Sequence, residues 1–303
     1  MTRLFTIIVV LLTVFLLVEG QSDIAPASSQ PALAPEFNAP REFKTVPADG
    51  NLKSIRVLSW NIERGEQVKV VSSELQRAPA DLCLFQEVDW NAARTGQADI
   101  GEELAKRLHL NLSYAVEFEE LGQEHGRQAF SGQATLTRLP ILKSRVLRFQ
   151  NQSGWWKPHS WLPSSVPLMQ RRLGSRVALV TELEFAGRLL VVYNVHLESR
   201  SLGKIQAEQL EEILRDLKKY PPDTAVILGG DLNTKYFPSI FLHKLEREGF
   251  RSATGERIER THAIAMALDW IFARGPIRLE GGEVRRDFKG SDHYPVYVQL
   301  VGG

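Results

Sequence analysis

The sequence predicts an α/β fold, and two observations support this prediction. Short apolar runs, most of which meet polar or acidic residues at one end, recur between Ile55 and Val301. Stretches with apolar residues at helical spacing lie between several of these runs, which is the pattern of strands alternating with helices. No repeat with a period of roughly 20–50 residues is visible, so the sequence does not indicate a solenoid or a propeller.

The first half of the predicted domain alternates strands with helices. Ile55–Trp60 and Leu82–Phe85 are apolar runs with the composition of buried strands. Val68–Gln76 lies between them and has a helical pattern, and Gly101–Leu108 is a second predicted helix. Further strands are predicted at Gln133–Thr137 and Ile141–Phe149.

The second half begins with a predicted β-hairpin. Val177–Phe185 and Leu189–Asn194 are apolar runs separated by a short turn at Gly187. Lys204–Lys219 has apolar residues at helical spacing and is followed by two prolines, which end a helix. The remaining predicted elements are a helix at Pro238–Glu248 and strands at Ala225–Leu228, Leu268–Ala273, Ile277–Val284 and Val296–Leu300.

The N-terminus has the features of an export signal. Arg3 precedes the run Leu4–Val18, which is apolar apart from two threonines. The run is shorter than the roughly 20 residues that span a bilayer, so residues 1–20 are predicted to be a signal peptide and the protein to be secreted or periplasmic. Because Val18-Glu19-Gly20 is not a clean small-x-small cleavage site, a membrane anchor formed by residues 4–18 is the alternative.

Residues 21–51 are rich in Pro, Ala and Ser and are predicted to be an extended linker without a core of its own. Residues 52–303 are predicted to form the folded domain. The chain has one cysteine, Cys83, which excludes an intrachain disulfide. Its position in an apolar strand predicts a small buried apolar side chain.

The net charge of +1 identifies no partner, but the distribution of charge is informative. Residues 125–181 contain nine Lys and Arg residues, no Asp or Glu, and Trp155, Trp156 and Trp161. A basic segment with aromatic residues suits a polyanion with stackable bases or an anionic lipid surface. The alternative is that acidic residues elsewhere in the fold match these charges.

Two polar segments at strand ends carry candidate catalytic residues. The first, Gly229-Gly230-Asp231-Leu232-Asn233, follows an apolar strand, and the second, Ser291-Asp292-His293, precedes one. Loops at strand ends are where functional groups collect. Carboxylates, an amide and an imidazole in this arrangement suit a site that binds a hard cation and a phosphate while a base activates water.

Three more strands end in polar residues of the same kinds, namely Asn61, Glu87 and His196. A further carboxylate, Asp269, lies inside the apolar run Ala267–Phe272. A carboxylate within a buried strand is unfavourable unless a partner compensates it, and a histidine would be such a partner.

These six motifs, in this order, resemble those of the endonuclease/exonuclease/phosphatase superfamily over roughly Ser54 to Val301. The superfamily includes pancreatic-type deoxyribonucleases, abasic-site endonucleases, neutral sphingomyelinases and inositol-polyphosphate 5-phosphatases. The resemblance implies a four-layer α/β-β/α sandwich of two packed mixed β-sheets, with the active site at one end.

The resemblance also implies roles for the candidate residues. Mg²⁺ or Mn²⁺ would be bound by Asn61, Glu87 and Asp292. The catalytic set would comprise His196, which binds the phosphate; Asp231, which orients or deprotonates water; Asn233, which donates a hydrogen bond; and His293, which is oriented by Asp269. Whether Asp231 or His293 is the general base is left open by the sequence.

The function expected from the sequence is a secreted, divalent-metal-dependent phosphodiesterase, acting as a monomer on nucleic acid. A sphingomyelinase-like enzyme, or another lipid or small-molecule phosphoesterase, is the alternative, because Trp155-Trp156-Lys157 also suits contact with a membrane surface. A non-catalytic binding protein is the third class, and the complete set of site residues disfavours it. Abasic-site repair is disfavoured because no tyrosine matches the one those enzymes carry, whereas Arg171, Arg172 and Arg176 lie in that region.

Overall fold

The computed structural model describes residues 35–156, 172–236 and 238–303. The predicted signal peptide, the start of the predicted linker, and Lys157, Trp161 and Arg171 of the basic segment lie outside the described residues. Among the described residues, no helix combines the length and the apolar character needed to cross a membrane.

The described residues form strands and helices that alternate as the sequence predicts. The strands are β1 (Arg41–Phe43), β2 (Ser54–Arg64), β3 (Leu82–Trp90), β4 (Asn111–Glu120), β5 (Phe130–Thr137), β6 (Ile141–Arg148), β7 (Arg172–Gly174), β8 (Val177–Phe185), β9 (Arg188–His196), β10 (Ala225–Asp231), β11 (Arg251–Ser252), β12 (Asp269–Arg274), β13 (Ile277–Val284) and β14 (Val296–Gly302). The helices are α1 (Val68–Arg77), α2 (Ile100–Leu108), α3 (Lys204–Leu217) and α4 (Pro238–Arg247).

The strands form two mixed sheets. The first has the order β1-β4-β5-β3-β2-β14-β13, with β7 also paired to β4, and the second has the order β11-β12-β10-β9-β8-β6. Each sheet contains one parallel pair, β2 with β3 and β9 with β10, and its other pairs are antiparallel. In a parallel pair both carboxyl ends lie at the same edge, so each sheet brings two strand ends together.

Three apolar clusters separate four layers. Ile55, Val192 and Ile227 belong to the cluster between the two sheets. The outer face of the first sheet packs on α1 and α2, and the outer face of the second sheet packs on α3 and α4. The four-layer α/β-β/α sandwich is therefore confirmed.

The structure differs from the prediction at the edge of the first sheet. Residues 21–51 are predicted to be an extended linker without a core of its own, but Phe37 is buried in the first core cluster of the domain and β1 pairs with β4. The folded part of the chain therefore begins before Leu52. Cys83 is a free, buried thiol, as predicted.

Acidic residues from other elements pair with much of the basic segment. Arg145 contacts Asp216 of α3 at 2.5 Å, and Arg176 contacts Glu117 of β4 at 3.0 Å. The other internal partners are Asp81 for Arg138, Glu120 for Arg172, and Ser175 and the Phe37 carbonyl for Arg148. For Arg138, Arg145, Arg172 and Arg176, the structure supports matching of charge within the fold rather than a surface for a polyanion. Arg148 is bound within the fold by neutral groups.

This arrangement predicts that Arg145→Ala lowers stability. The variant would leave the buried Asp216 carboxylate, which also accepts from Tyr193, without its guanidinium partner. We expect a loss of about 2 kcal/mol in the free energy of unfolding, measured by urea denaturation. Lys143→Ala, at an exposed position on the same strand, is the control and should change stability by less than about 0.5 kcal/mol. Weaker substrate binding by Arg145→Ala at unchanged stability would instead support a polyanion surface.

Candidate active site

The site lies where the parallel strands of the two sheets end. Asp231, the last residue of β10, is opposite His196 in the parallel pair with β9 and opposite Asp269 in the antiparallel pair with β12. The Asn61 side chain of β2 donates to Asp231 and so connects the two sheets. The close approach of β10 to β9 requires Gly230, whose φ is 145° and where a Cβ atom would clash with the Val195 carbonyl.

Asp231 is at the centre of the contacts in the site. Its Oδ2 accepts from Asn61 Nδ2 at 3.2 Å, and its Oδ1 accepts from the Asn233 backbone N–H at 2.9 Å. The same Oδ2 lies 3.5 Å from His196 Nε2 and 3.9 Å from His293 Nε2. Burial, together with the nearby Asp269 carboxylate, raises the pKa of Asp231 to about 6. Two imidazoles thus approach one buried carboxylate, His196 from β9 and His293 from the loop that precedes β14.

His293 and Asp269 form the pair expected from the sequence. Asp269 Oδ2 lies 2.8 Å from His293 Nδ1, and both side chains are buried. Burial opposes protonation of His293, but the charge and hydrogen bond of Asp269, with help from Asp231 and Asp292, raise its pKa to about 10. The ring therefore carries a proton on each nitrogen at neutral pH.

His196 has a carboxylate partner that sequence reasoning missed. Glu117 Oε2 of β4 lies 3.6 Å from His196 Nδ1, and Arg176 donates to the other oxygen of Glu117. Burial, reinforced by the charge of Arg176, lowers the pKa of His196 well below its usual range, so the ring is neutral. Burial raises the pKa of Glu117 to about 7, because it outweighs the charge and hydrogen bond of Arg176, which lower that pKa. Neutral His196 can act as a hydrogen-bonding group but not as a fixed cation.

Glu87 lies at a distorted turn of the backbone. Its φ is 51°, and the register of β3 against β5 shifts between Phe85 and Val88, so a bulge redirects the side chain. Burial opposes ionisation of this half-buried carboxyl, but the charges of Arg64, Arg172 and Arg176 hold its pKa far below the usual range. Glu63, Arg64 and Asn233 also have positive φ values, and such strain concentrates at functional sites.

The Ser291-Asp292-His293 segment is attached to β2 and to the loop that precedes β12. Ser291 Oγ donates to the Asn61 carbonyl at 2.7 Å, and Asp292 Oδ2 lies 3.2 Å from Nε2 of His262. Burial opposes ionisation of Asp292, but the His262 hydrogen bond and the charge of His293 lower its pKa. The pKa of Glu63 is raised by burial and by the charge of Asp292, so these carboxylates are close enough to repel each other.

The donor atoms at this end of the site fit a hard divalent cation. Asp292, Glu63 and Glu87 are carboxylates, Asn61 supplies an amide oxygen, and the charge of Glu87 raises the pKa of Asp292. A cation would relieve that repulsion. Glu87 nevertheless lies outside the two closest clusters of His, Asp and Glu ligand atoms among the described residues, which are His262–Asp292–His293 and Asp231–Asp269–His293.

The structure thus places six predicted residues in one network of contacts: Asn61, His196, Asp231, Asn233, Asp269 and His293. Asp292 joins through its contact with His262, and Glu87 is linked to the site by the effect of its charge on Asp292. Asn233 uses one amide N–H on the Leu197 carbonyl at 3.0 Å, which leaves a second for a ligand.

Comparison with known protein families matches the part of the chain that carries the site residues. The family model described as "Endonuclease/Exonuclease/phosphatase family" matches residues 58–293, from the strand bearing Asn61 to His293. The chain belongs to the endonuclease/exonuclease/phosphatase family. This family consists in general of hydrolytic phosphoesterases that act on phosphodiester substrates such as nucleic acids.

Solved structures of the family share the fold of this chain at low sequence identity. An endonuclease/exonuclease/phosphatase from Beutenbergia cavernae is 17% identical, with a TM-score of 0.60, over 83% of this chain and 72% of that one. One from Bacteroides vulgatus is 14% identical, with a TM-score of 0.61, over 82% and 99%. TDP2 from Caenorhabditis elegans is 20% identical, with a TM-score of 0.53, over 82% and 74%. No curated protein matches the sequence significantly.

Proposed function

We propose that this protein is a divalent-metal-dependent phosphodiesterase. The observation that carries the proposal is the position of Asp231 Oδ2 between Nε2 of His196 and Nε2 of His293, next to carboxylates that suit a cation. A phosphodiester needs its charge neutralised, a water molecule activated and the leaving oxygen stabilised. The site has candidate groups for neutralising the charge of the phosphate and for activating water.

The arrangement favours Asp231 as the group that takes the proton from water. Both ring nitrogens of His293 face carboxylates, at 2.8 Å for Asp269 and 3.9 Å for Asp231, so His293 has no free lone pair to accept a proton. His293 would instead stabilise negative charge that develops on the phosphoryl group, and the free amide N–H of Asn233 would donate to a phosphoryl oxygen. Mg²⁺ or Mn²⁺, held by Asn61, Glu87 and Asp292, would neutralise charge on the phosphate.

Nucleic acid is the proposed substrate, and the membership of the chain in this family supports it. A lipid or small-molecule phosphodiester is the second candidate, because Arg138, Arg145, Arg148, Arg172 and Arg176 contact groups within the fold, which weakens the case for a polyanion. The test is hydrolysis of plasmid DNA and of sphingomyelin vesicles by purified protein, expected to be a monomer, with Mn²⁺. Turnover of sphingomyelin alone would contradict the nuclease proposal, and turnover of neither would favour a binding protein.

Metal removal should abolish activity. Excess EDTA is expected to eliminate hydrolysis, and added Mg²⁺ or Mn²⁺ should restore it. Glu87→Gln should raise the metal concentration for half-maximal activity by more than about tenfold, because even groups that only orient metal ligands contribute about 10–100-fold to affinity. Glu256→Gln, at an exposed position, is the control and should behave as wild type. Activity that persists in excess EDTA would contradict the metal-dependent mechanism.

We also propose that the protein is exported, with residues 1–20 removed; retention in the membrane by residues 4–18 is the alternative. The apolar run after Arg3 supports this proposal. Cell fractionation with mass spectrometry of the N-terminus should recover a secreted or periplasmic chain that begins close to Gln21. A full-length chain in the cytoplasm would contradict export.

A further inference from the structure

The segment Thr261–Met266, which precedes β12, is attached through Thr261 and Ala263 to the residues around the site. The Thr261 hydroxyl accepts from the backbone N–H of Asp269 at 3.0 Å. Ala263 N–H donates to the Asp292 carbonyl at 2.7 Å, and Tyr294 N–H donates to the Thr261 carbonyl at 2.7 Å. The segment is therefore held in register with Asp292 and His293, although no motif of the sequence marked it.

His262, within this segment, has a defined tautomer. The backbone N–H of Ile264 donates to His262 Nδ1 at 2.9 Å, so Nδ1 must carry the lone pair. In the neutral ring the proton then lies on Nε2, which is 3.2 Å from Asp292 Oδ2. His262 can therefore donate a hydrogen bond to Asp292 without being charged. Its ring also meets the ring of His293 edge to face, with centroids 4.5 Å apart.

Asp292 needs such a partner more than the other site carboxylates do. Its side chain is 46% exposed, whereas those of Asp231 and Asp269 are 3% and 0% exposed. Burial restricts those two side chains, and Asp269 is also hydrogen-bonded to His293 at 2.8 Å. An exposed carboxylate must give up side-chain freedom when it binds a cation. A hydrogen bond that occupies Oδ2 fixes the group in advance and leaves Oδ1 for the cation, which is how outer-sphere partners tune metal sites.

We propose that His262 is a positioning residue that orients Asp292 through its Nε2–H and so strengthens divalent-cation binding. This inference rests on the proposed function. The inference predicts that the hydrogen-bond donor of His262 matters and that its aromatic ring does not. A variant that keeps an N–H donor should keep its affinity for the cation, and a variant that keeps only an aromatic ring should not.

The test is calorimetric titration of Mn²⁺ into wild type, His262→Gln and His262→Phe. His262→Phe should raise the Kd for Mn²⁺ by about tenfold. His262→Gln retains an N–H at the end of the side chain and should stay within about threefold of wild type. His243→Phe, at an exposed position on α4, is the matched control and should bind as wild type does.

Two results would overturn the inference. One is a wild-type Kd for His262→Phe, and the other is a loss in His262→Gln as large as that in His262→Phe. If His262→Phe does not fold, a long-range ¹H–¹⁵N spectrum of the wild-type protein decides: an Nε2–H tautomer of His262 supports the inference, and an Nδ1–H tautomer overturns it. Wild-type protein that neither binds Mn²⁺ nor hydrolyses a phosphodiester would contradict the proposed function itself, which distinguishes the two failures.

Discussion

His293→Ala is expected to lower kcat/KM by about 10²–10⁴-fold, which is the range for loss of a group that assists proton transfer or charge stabilisation. His293 is buried, and Asp269 and Asp231 fix its two ring nitrogens. Alanine removes the imidazole from the centre of the site while the Trp60 hydrogen bond to the backbone carbonyl of residue 293 remains available. The fold should therefore persist, and circular dichroism would verify it.

A double-mutant cycle tests whether Asp269 acts through His293. Asp269→Asn keeps the shape of the side chain but removes the charge that favours the protonated ring, so its loss should be somewhat smaller than that of His293→Ala. The double variant should lose little more than His293→Ala alone, because residues that act as one unit are non-additive. Strict additivity of the two losses in kcat/KM, at fixed Mn²⁺, would exclude the pair. His125→Ala, at an exposed position, is the control.

The sequence predicts most of the fold because apolar periodicity reflects burial. The hairpin Val177–Phe185 to Arg188–His196 and the four helices lie within a few residues of their predicted positions. β4 was missed because its strand carries Glu117 and Glu120, which are buried and paired with arginines, so charge interrupts the apolar pattern. β1 was missed because a strand of three residues has too little pattern to detect.

The candidate site was predicted where residue type and strand end coincide, as at Asp231 and His293. It was not predicted where a partner comes from a distant part of the chain. Glu117 meets His196, and His262 meets Asp292, only because the strands and loops that carry them are brought together by the fold. The sequence left two interpretations of the basic segment open for the same reason, since Asp216, which neutralises Arg145, lies on α3 far along the chain.

Asp231→Asn is expected to lower kcat/KM by at least about 10³-fold while raising thermal stability. The loss of activity follows because asparagine cannot accept a proton from water. The gain in stability follows because Asp231 and Asp269 are buried and directly opposite each other on β10 and β12. Two like charges in that position are unfavourable, and asparagine removes one of them. Its single side-chain oxygen can accept from the Asn233 N–H or from Asn61 but not from both, so the loss of one hydrogen bond offsets part of the gain.

The gain should depend on pH. Burial and Asp269 raise the pKa of Asp231 to about 6, whereas an Asp carboxyl in the unfolded chain has a pKa near 3.9. The stability of the wild-type protein therefore falls as the pH rises from about 4 to about 6, because Asp231 must ionise in its buried position. The full loss is present at neutral pH. Asparagine has no such cost, so the variant should match wild type near pH 4 and exceed it at pH 7.

Thermal denaturation in EDTA measures this gain without a contribution from bound cations. We expect the Tm of Asp231→Asn to exceed that of wild type by a few degrees at pH 7, which corresponds to about 1–2 kcal/mol in a chain of this size. Asp223→Asn, at an exposed position, is the control and should leave both activity and Tm unchanged. If Asp231→Asn lost activity and stability together, the carboxylate would be part of the structural framework. A loss of activity with a gain in stability is the result expected if Asp231 is a proton acceptor that the fold holds, at a cost in stability, in a buried position beside another carboxylate.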